Sequence, residues 1–486
     1  MSVLALDAGT TGVTALAVEV DGSVSARGYR EFPQHFPRPG WVEHDPEEIW
    51  TALLAAAGEA VAGAASPPVA IGVTGQRETV VLWRRADLSA PRPAIVWQDR
   101  RTAELCADLR AAGSEPLVTA TTGLRLDPYF SGTKLSWLAR HEPDIWAGVR
   151  SGDTAIGTID AYVIARLTAG ARHVTDPSHA SRTLLFDIRR GAWSSDMCDL
   201  FEVPMAALPT VVDSSGHCGT TDPGAFLGLE LPVAGIAGDQ QSALFGQACF
   251  RPGESKCTYG TGSFLLVNTG ATPRTSGAGL LTTVAWRIGG VTTYALEGAI
   301  FVTGAAVQWL RDGLGLIPTS PSVEELAASV PDTGGVVFVP ALTGLGAPDW
   351  DPTARGTILG LTRGTSAGHL ARATLEAIAF EVRDVADVLP VPVTALTVDG
   401  GAAANDLLCQ LQADQLGVPV RRPRVLETTG LGAAFLAGLA MQVWPDLEAL
   451  RATWTLDREF RADAGARDDG RHARWREGVR RSKGWA

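Results

Sequence analysis

The chain has 486 residues, with 41 Lys+Arg against 53 Asp+Glu, a formal net charge of −12. That balance excludes a general nucleic-acid binder, which needs a basic surface to displace phosphate counterions. Apolar residues make up 45% and charged residues 19%, so the composition is that of a folded chain with a large core, and the length predicts about two to four domains.

The N-terminus carries no positive charge before Asp7, which predicts no signal peptide. No apolar run approaches the ~18 residues of a membrane span. Residues 3–20 predict two strands joined by a tight turn at Asp7-Ala8-Gly9-Thr10-Thr11-Gly12. A helix is predicted over 46–63, with Asp45 as cap, Pro46 at its first position and Glu47 and Glu48 complementing its dipole. A strand near 69–74, the polar cluster Gln76-Arg77-Glu78 and a strand near 79–84 follow, then helices near 100–112 and 133–141. The Pro/Gly/Ser-rich stretch 204–232 reads as a loop region.

Around residue 239 the pattern restarts. An apolar strand ends at Gly238-Asp239-Gln240-Gln241, and 255–269 again reads strand, Gly/Thr turn, strand, with Thr258-Tyr259-Gly260-Thr261-Gly262 at the turn. Helices are predicted near 302–313, 367–388, 403–416 and 429–443, with a strand at 393–398 running into Asp399-Gly400-Gly401. Strands mixed with helices in both halves point to two α/β domains with a cleft between them, 1–247 and 248–486. The basic stretch 471–484 reads as a terminal docking helix with a solvated face.

The six cysteines include no C-x-x-C pair, so no disulfide framework or zinc ribbon is expected, and reduced thiols fit a cytoplasmic protein. Lys occurs only at 134, 256 and 483, none of them in a Walker A loop or a V-A-I-K-like strand. If this chain handles ATP, it does so as neither a P-loop NTPase nor a protein kinase.

Two Gly/Thr turns suit a polyphosphate gripped from both sides, because glycine lets backbone N–H groups approach an anion and threonine adds donors. The same residues would also serve ordinary hairpins. An Asp closing a buried strand, as Asp7 does, suits a magnesium ion held through water. Asp239 can accept the proton of an attacking hydroxyl, or simply cap a helix. Arg77 beside Glu78 offers donors and acceptors together, as a polyol requires, and equally describes an ion pair. Trp97, Tyr129 and Phe264 could wall a small carbon skeleton or pack in the core. Small residues at Gly401 and Ala402 let a flat ring lie against the backbone, with Asn405 as a donor to it.

Together these motifs resemble the FGGY family of carbohydrate kinases, and within it the members that act on glycerol. The likeness runs from Asp7 to about Phe460 and includes PGWVEHDPEEIW (39–50), GQRET (75–79), AIVWQDRRTAE (94–104), DPYFSGTK (127–134), GIAGDQQSALFGQ (235–247), TYGTGSFLLVNTG (258–270) and VDGGAAANDLL (398–408). The resemblance implies a duplicated ribonuclease H-like, actin-type ATPase fold with the nucleotide between two domains. It implies transfer of the γ-phosphoryl group of ATP to glycerol, giving sn-glycerol 3-phosphate, with Asp239 as general base. Arg77, Glu78, Trp97, Tyr129, Asp239, Gln240 and Phe264 would then hold glycerol. Thr10, Thr11, Gly12 and Thr261 would line the phosphates, and Gly304, Gln308, Gly401 and Asn405 the nucleoside. Asp7 and Asp239 would lie nearest Mg²⁺. The resemblance leaves open another small polyol or ketose (xylulose, erythritol, dihydroxyacetone), a nucleotide-binding regulatory protein of the same fold, and a homodimer or homotetramer.

The chain departs from the family pattern at the first loop. The polar residue usual after the aspartate is Ala8, and the usual arginine is Thr14, which removes a charged contact near the phosphates. The segment 213–232 has no Lys or Arg, so regulation by a sugar bisphosphate is not expected.

Overall fold

The computed structural model describes residues 1–485. One mixed sheet of 13 strands runs through the molecule. Its strands are β1 (Ser2–Ala8), β2 (Gly12–Glu19), β3 (Val24–Glu31), β4 (Pro68–Gly75), β5 (Ser215–Thr220), β6 (Pro232–Gly238), β7 (Ser255–Tyr259), β8 (Ser263–Gly270), β9 (Leu281–Ile288), β10 (Val291–Ile300), β11 (Leu396–Asp399), β12 (Val420–Pro423) and β13 (Leu456–Phe460). Their spatial order is β13-β12-β11-β7-β8-β10-β9-β5-β6-β4-β1-β2-β3.

The order contains a repeat. In the first half β3, β2 and β1 are antiparallel neighbours, and β4 and β6 then add in parallel. In the second half β10, β8 and β7 are antiparallel, and β11 and β12 add in parallel. The two Gly/Thr turns therefore occupy equivalent places, each joining the first two strands of its half. Strands covered on both faces are mostly apolar, as in β1, where every residue but Asp7 is buried.

The segment expected to be a loop contains β5, and the hairpin β9–β10 was not foreseen. β5 reads Ser-Gly-His-Cys-Gly-Thr, a composition that looks like a turn. It becomes a strand because it bridges the halves, pairing with β6 on one side and touching β9 at Ser215–Ile288 on the other. The β9–β10 hairpin closes on Gly289-Gly290, both at positive φ, a two-residue signal that was legible.

The helices that position the site are α1 (Pro46–Gly63), α2 (Asp239–Gly246), α3 (Gly304–Gln308), α4 (Ala367–Asp387), α5 (Asp406–Leu416), α6 (Thr428–Ala440) and α7 (Asp469–Ser482). The Asp45 side chain accepts from Glu47 N and caps α1 as expected. α6 comes late in the chain yet packs on β1, β4, β6 and α2 of the first half. The Trp475 side chain of α7 is buried and its indole N–H donates to Phe338 O at 3.2 Å. Among the described residues no helix is long and apolar enough to cross a membrane.

Candidate active site

β4 and β6 run side by side and end together, with Gly238 opposite Gly75. The residues that follow them, Gln76-Arg77-Glu78 and Asp239-Gln240-Gln241, therefore emerge at the same edge, where α/β sheets place ligands. A Cβ on Gly238 would lie 2.8 Å from Arg77 Cγ. The absence of that atom lets the arginine stem cross over β6.

Arg77 is 2% exposed and bridges four groups. Its Nε lies 3.0 Å from Asp239 Oδ1, its Nη1 pairs with Glu297 Oε2 and donates to Gln241 Oε1 at 3.3 Å, and its Nη2 donates to Tyr129 Oη at 3.3 Å. Glu78 sits at φ +63°, a conformation a side-chain-bearing residue takes at a cost of about 1 kcal/mol or more. It is held there from two sides. Its carbonyl accepts from Ser131 Oγ at 3.0 Å, and its Oε1 accepts from Arg182 Nε at 2.6 Å. Arg182 also donates to Glu297 Oε1 at 2.9 Å. Burial opposes ionisation of Glu297, but Arg182 and Arg77 overcome it and hold its pKa at about 2, against an ordinary 4.5.

Aromatic side chains wall this polar cluster. Trp97 meets Tyr129 edge-on at 5.5 Å, and the Arg77 guanidinium lies 5.5 Å from the Phe264 ring. Trp97 Nε1 donates to Thr10 Oγ1 at 2.9 Å, which ties the wall to the first Gly/Thr turn. Lys134 is fully buried and donates to the carbonyls of Pro128, Tyr129 and Phe130, fixing the turn that presents Tyr129. Asp239 opens α2, and its side chain keeps 27% of its surface exposed. Gln240 Oε1 accepts from the buried Lys256, so its amide nitrogen is the end left for a ligand.

Asp7 closes β1. Its Oδ1 is buried without a hydrogen-bond partner. Burial first, then the charges of Asp239 and Glu427, push its pKa from 3.8 to about 8. A partnerless carboxylate oxygen repelled by a second carboxylate fits a divalent cation. Among the described residues no group of three or more His, Cys, Asp or Glu could ligate a metal. Such an ion would therefore take most of its oxygen ligands from water and a bound phosphate, as Mg²⁺ commonly does. Near neutral pH the unfolded chain ionises Asp7, while the fold favours its protonated form, and Asp7→Asn removes that cost. It is expected to raise the melting temperature of the ligand-free protein by about 2 °C or more while reducing the further rise produced by ADP with Mg²⁺; thermal scans with and without ligand check both.

A separate cavity of about 420 Å³ opens beside the second Gly/Thr turn. It is lined by Thr261, Gly304, Gln308, Gly401 and Asn405, with Val307, Leu375, Ile378 and Leu408 as apolar walls. Its polarity, apolar walls with few polar groups, suits a heteroaromatic ring. Asn405 has a second task there, because its Oδ1 accepts from Leu408 N at 2.7 Å and caps α5. Asn405→Ala should therefore lower stability by about 1 kcal/mol and also raise the KM for nucleotide. Melting curves and nucleotide titration of the variant read the two effects separately.

The structure thus gathers Arg77, Glu78, Trp97, Tyr129, Asp239 and Phe264 into one polar cluster, with Gln240 beside Asp239 at the start of α2. Thr10, Thr11 and Gly12 stand at the β1–β2 turn, and Thr261 with the four remaining residues lines the second cavity. Arg182, Gln241, Lys256 and Glu297 were given no role by the sequence reading.

A duplicated sheet with a polar pocket and a ring-sized cavity on its two halves defines a two-lobed phosphotransferase architecture, and comparison with known proteins agrees. The chain belongs to the FGGY family of carbohydrate kinases, whose N-terminal domain matches residues 2–246 and whose C-terminal domain matches 255–441. The glycerol kinase of Aromatoleum aromaticum is 56% identical over 490 residues, covering 99% of each chain. The crystal structure of Plasmodium falciparum glycerol kinase with ADP superposes with a TM-score of 0.90 at 34% identity, covering 99% of this chain and 98% of that one. A xylulose kinase from Rhodospirillum rubrum follows at TM-score 0.85 and 27% identity, covering 99% and 98%.

Proposed function

We propose that this protein is a glycerol kinase, transferring the γ-phosphoryl group of ATP to a terminal hydroxyl of glycerol. The observation that carries the reading is the pairing of Arg77 with Asp239 at 3.0 Å, inside a polar cluster flanked by Trp97, Tyr129 and Phe264. Identity above 50% to glycerol kinases over the whole chain supports it.

In this reading Arg77 donates to the glycerol hydroxyls, and Glu78 and Tyr129 accept from or donate to them. Asp239 accepts the proton of the attacking hydroxyl as its oxygen bonds to the γ-phosphorus. The bond from that phosphorus to the β–γ bridging oxygen breaks, and ADP leaves with the electron pair. The protein's part is positioning and charge complementarity. Thr10, Thr11, Gly12 and Thr261 surround the phosphates, and Gly304, Gln308, Gly401 and Asn405 surround the nucleoside. Asp7 and Asp239 would hold Mg²⁺, which supplies neutralisation of the developing phosphate charge. The lobes are taken as 1–247 and 248–486, and all six cysteines are buried and free, as suits a cytoplasmic enzyme.

An ADP-release assay over glycerol, dihydroxyacetone, erythritol and xylulose tests the assignment. Glycerol is expected to give the highest kcat/KM; a five-carbon sugar in first place would overturn the reading.

A further inference from the structure

The pocket contains more charge than contact with a triol requires. Asp239, Arg77, Glu297, Arg182 and Glu78 form a continuous chain of alternating charges, with links at 3.0 Å from Asp239 to Arg77, 2.9 Å from Glu297 to Arg182 and 2.6 Å from Arg182 to Glu78. Four of the five members come from the first half. Glu297 comes from the second, on β10, where it stands opposite Leu266 of β8 and Leu281 of β9. Seven positions further along, the same segment reaches Gly304 of the nucleotide-sized cavity.

Glu297 has no exposed surface and is assigned no contact with the substrate. Its two oxygens are instead committed to two guanidinium groups, and those groups in turn fix Asp239 and Glu78. Buried arginines are affordable only with partners, and without Glu297 each would be left with carboxylates already required at the pocket surface. Arg182 shows how tight the supply of partners is, since its Nη1 is buried and bonded to nothing.

We infer that Glu297 is a positioning residue of the polyol pocket, supplied by the opposite lobe, which keeps Arg77 and Arg182 aimed so that Asp239 and Glu78 are presented to the acceptor. This rests on the kinase reading above and extends it: polyol affinity depends on a residue of the nucleotide-bearing half that the polyol never meets.

The test is Glu297→Gln, with Glu297→Asp beside it. The glutamine keeps shape and loses charge. It should raise the glycerol KM, and the Kd measured by calorimetry, at least about tenfold, while the KM for ATP stays within about twofold and kcat at saturating glycerol falls less than kcat/KM. Glu297→Asp restores the charge on a shorter arm and should recover most but not all of the affinity, leaving the glycerol KM about threefold above wild type. A folded Gln variant whose glycerol KM and Kd match the wild type overturns the inference. So does an equal loss of glycerol and nucleotide affinity, the mark of a general structural fault. If the Gln variant does not fold, Glu297→Asp decides: a glycerol KM raised about threefold with ATP unaffected supports the role, and a change in neither or in both equally refutes it. Wild type measured alongside separates the two readings, because a wild type inactive on glycerol refutes the kinase assignment alone, and the same variants are then run on its best substrate.

Discussion

Replacing Asp239 with Asn is expected to lower kcat by about 10²–10⁴-fold, the usual contribution of a general base, with affinity for ADP in the absence of Mg²⁺ within about twofold. Asn has the same shape but cannot take a proton at neutral pH. The substitution should leave the pocket standing, because Arg77 keeps its pair with Glu297 and its bonds to Tyr129 and Gln241. The residues lining the nucleotide-sized cavity come from the second half and do not include Asp239. An ADP-release assay gives the rate, and calorimetry with ADP gives the binding. Turnover unchanged from wild type would remove Asp239 from its assigned role.

Gly432→Ala is expected to be the most damaging of conservative changes outside the pocket. α2 and α6 cross with their backbones in contact. A Cβ on Gly432 would lie 1.8 Å from Ser242 O, and one on Gly246 would lie 2.1 Å from Thr428 O. Both obstacles are main-chain carbonyls, which cannot swing aside as a long side chain would. The helices must separate, and α6 is packed against β1, β4 and β6. Overpacking of this kind costs roughly 1–3 kcal/mol and sometimes more. The better helix propensity of Ala returns about 1 kcal/mol, so the net effect is destabilising. Because α2 begins at Asp239, kcat should fall together with the melting temperature. A variant that melts within about 1 °C of wild type would show that the helices do not cross so closely.

Both results bear on a site whose two faces were legible to different degrees. The first and second Gly/Thr turns, the capped helix at Pro46 and the Asp239 and Arg77-Glu78 motifs all stood out in the sequence. The departures at Ala8 and Thr14 were equally visible. In the structure Ala8 is buried and Thr14 lies opposite Asp7 and Tyr29 in the sheet, so neither position offers a charge to a phosphate.

What the sequence determined by itself was whatever depends on neighbours along the chain. Turn glycines, helix caps and the alternation of strand residues act over a few positions, and the duplication showed because the same short device occurs twice. Tertiary structure alone decided that β5 is a strand, that α6 belongs against the first half, and that Glu297 and Arg182 join Arg77 and Glu78 in one buried charge network. The Arg77–Glu297 pair spans 220 residues and the Arg182–Glu297 pair 115. Along a chain, such residues are indistinguishable from charges on a solvated surface. Only burial, which removes water as an alternative partner, makes their pairing obligatory and so gives them a role.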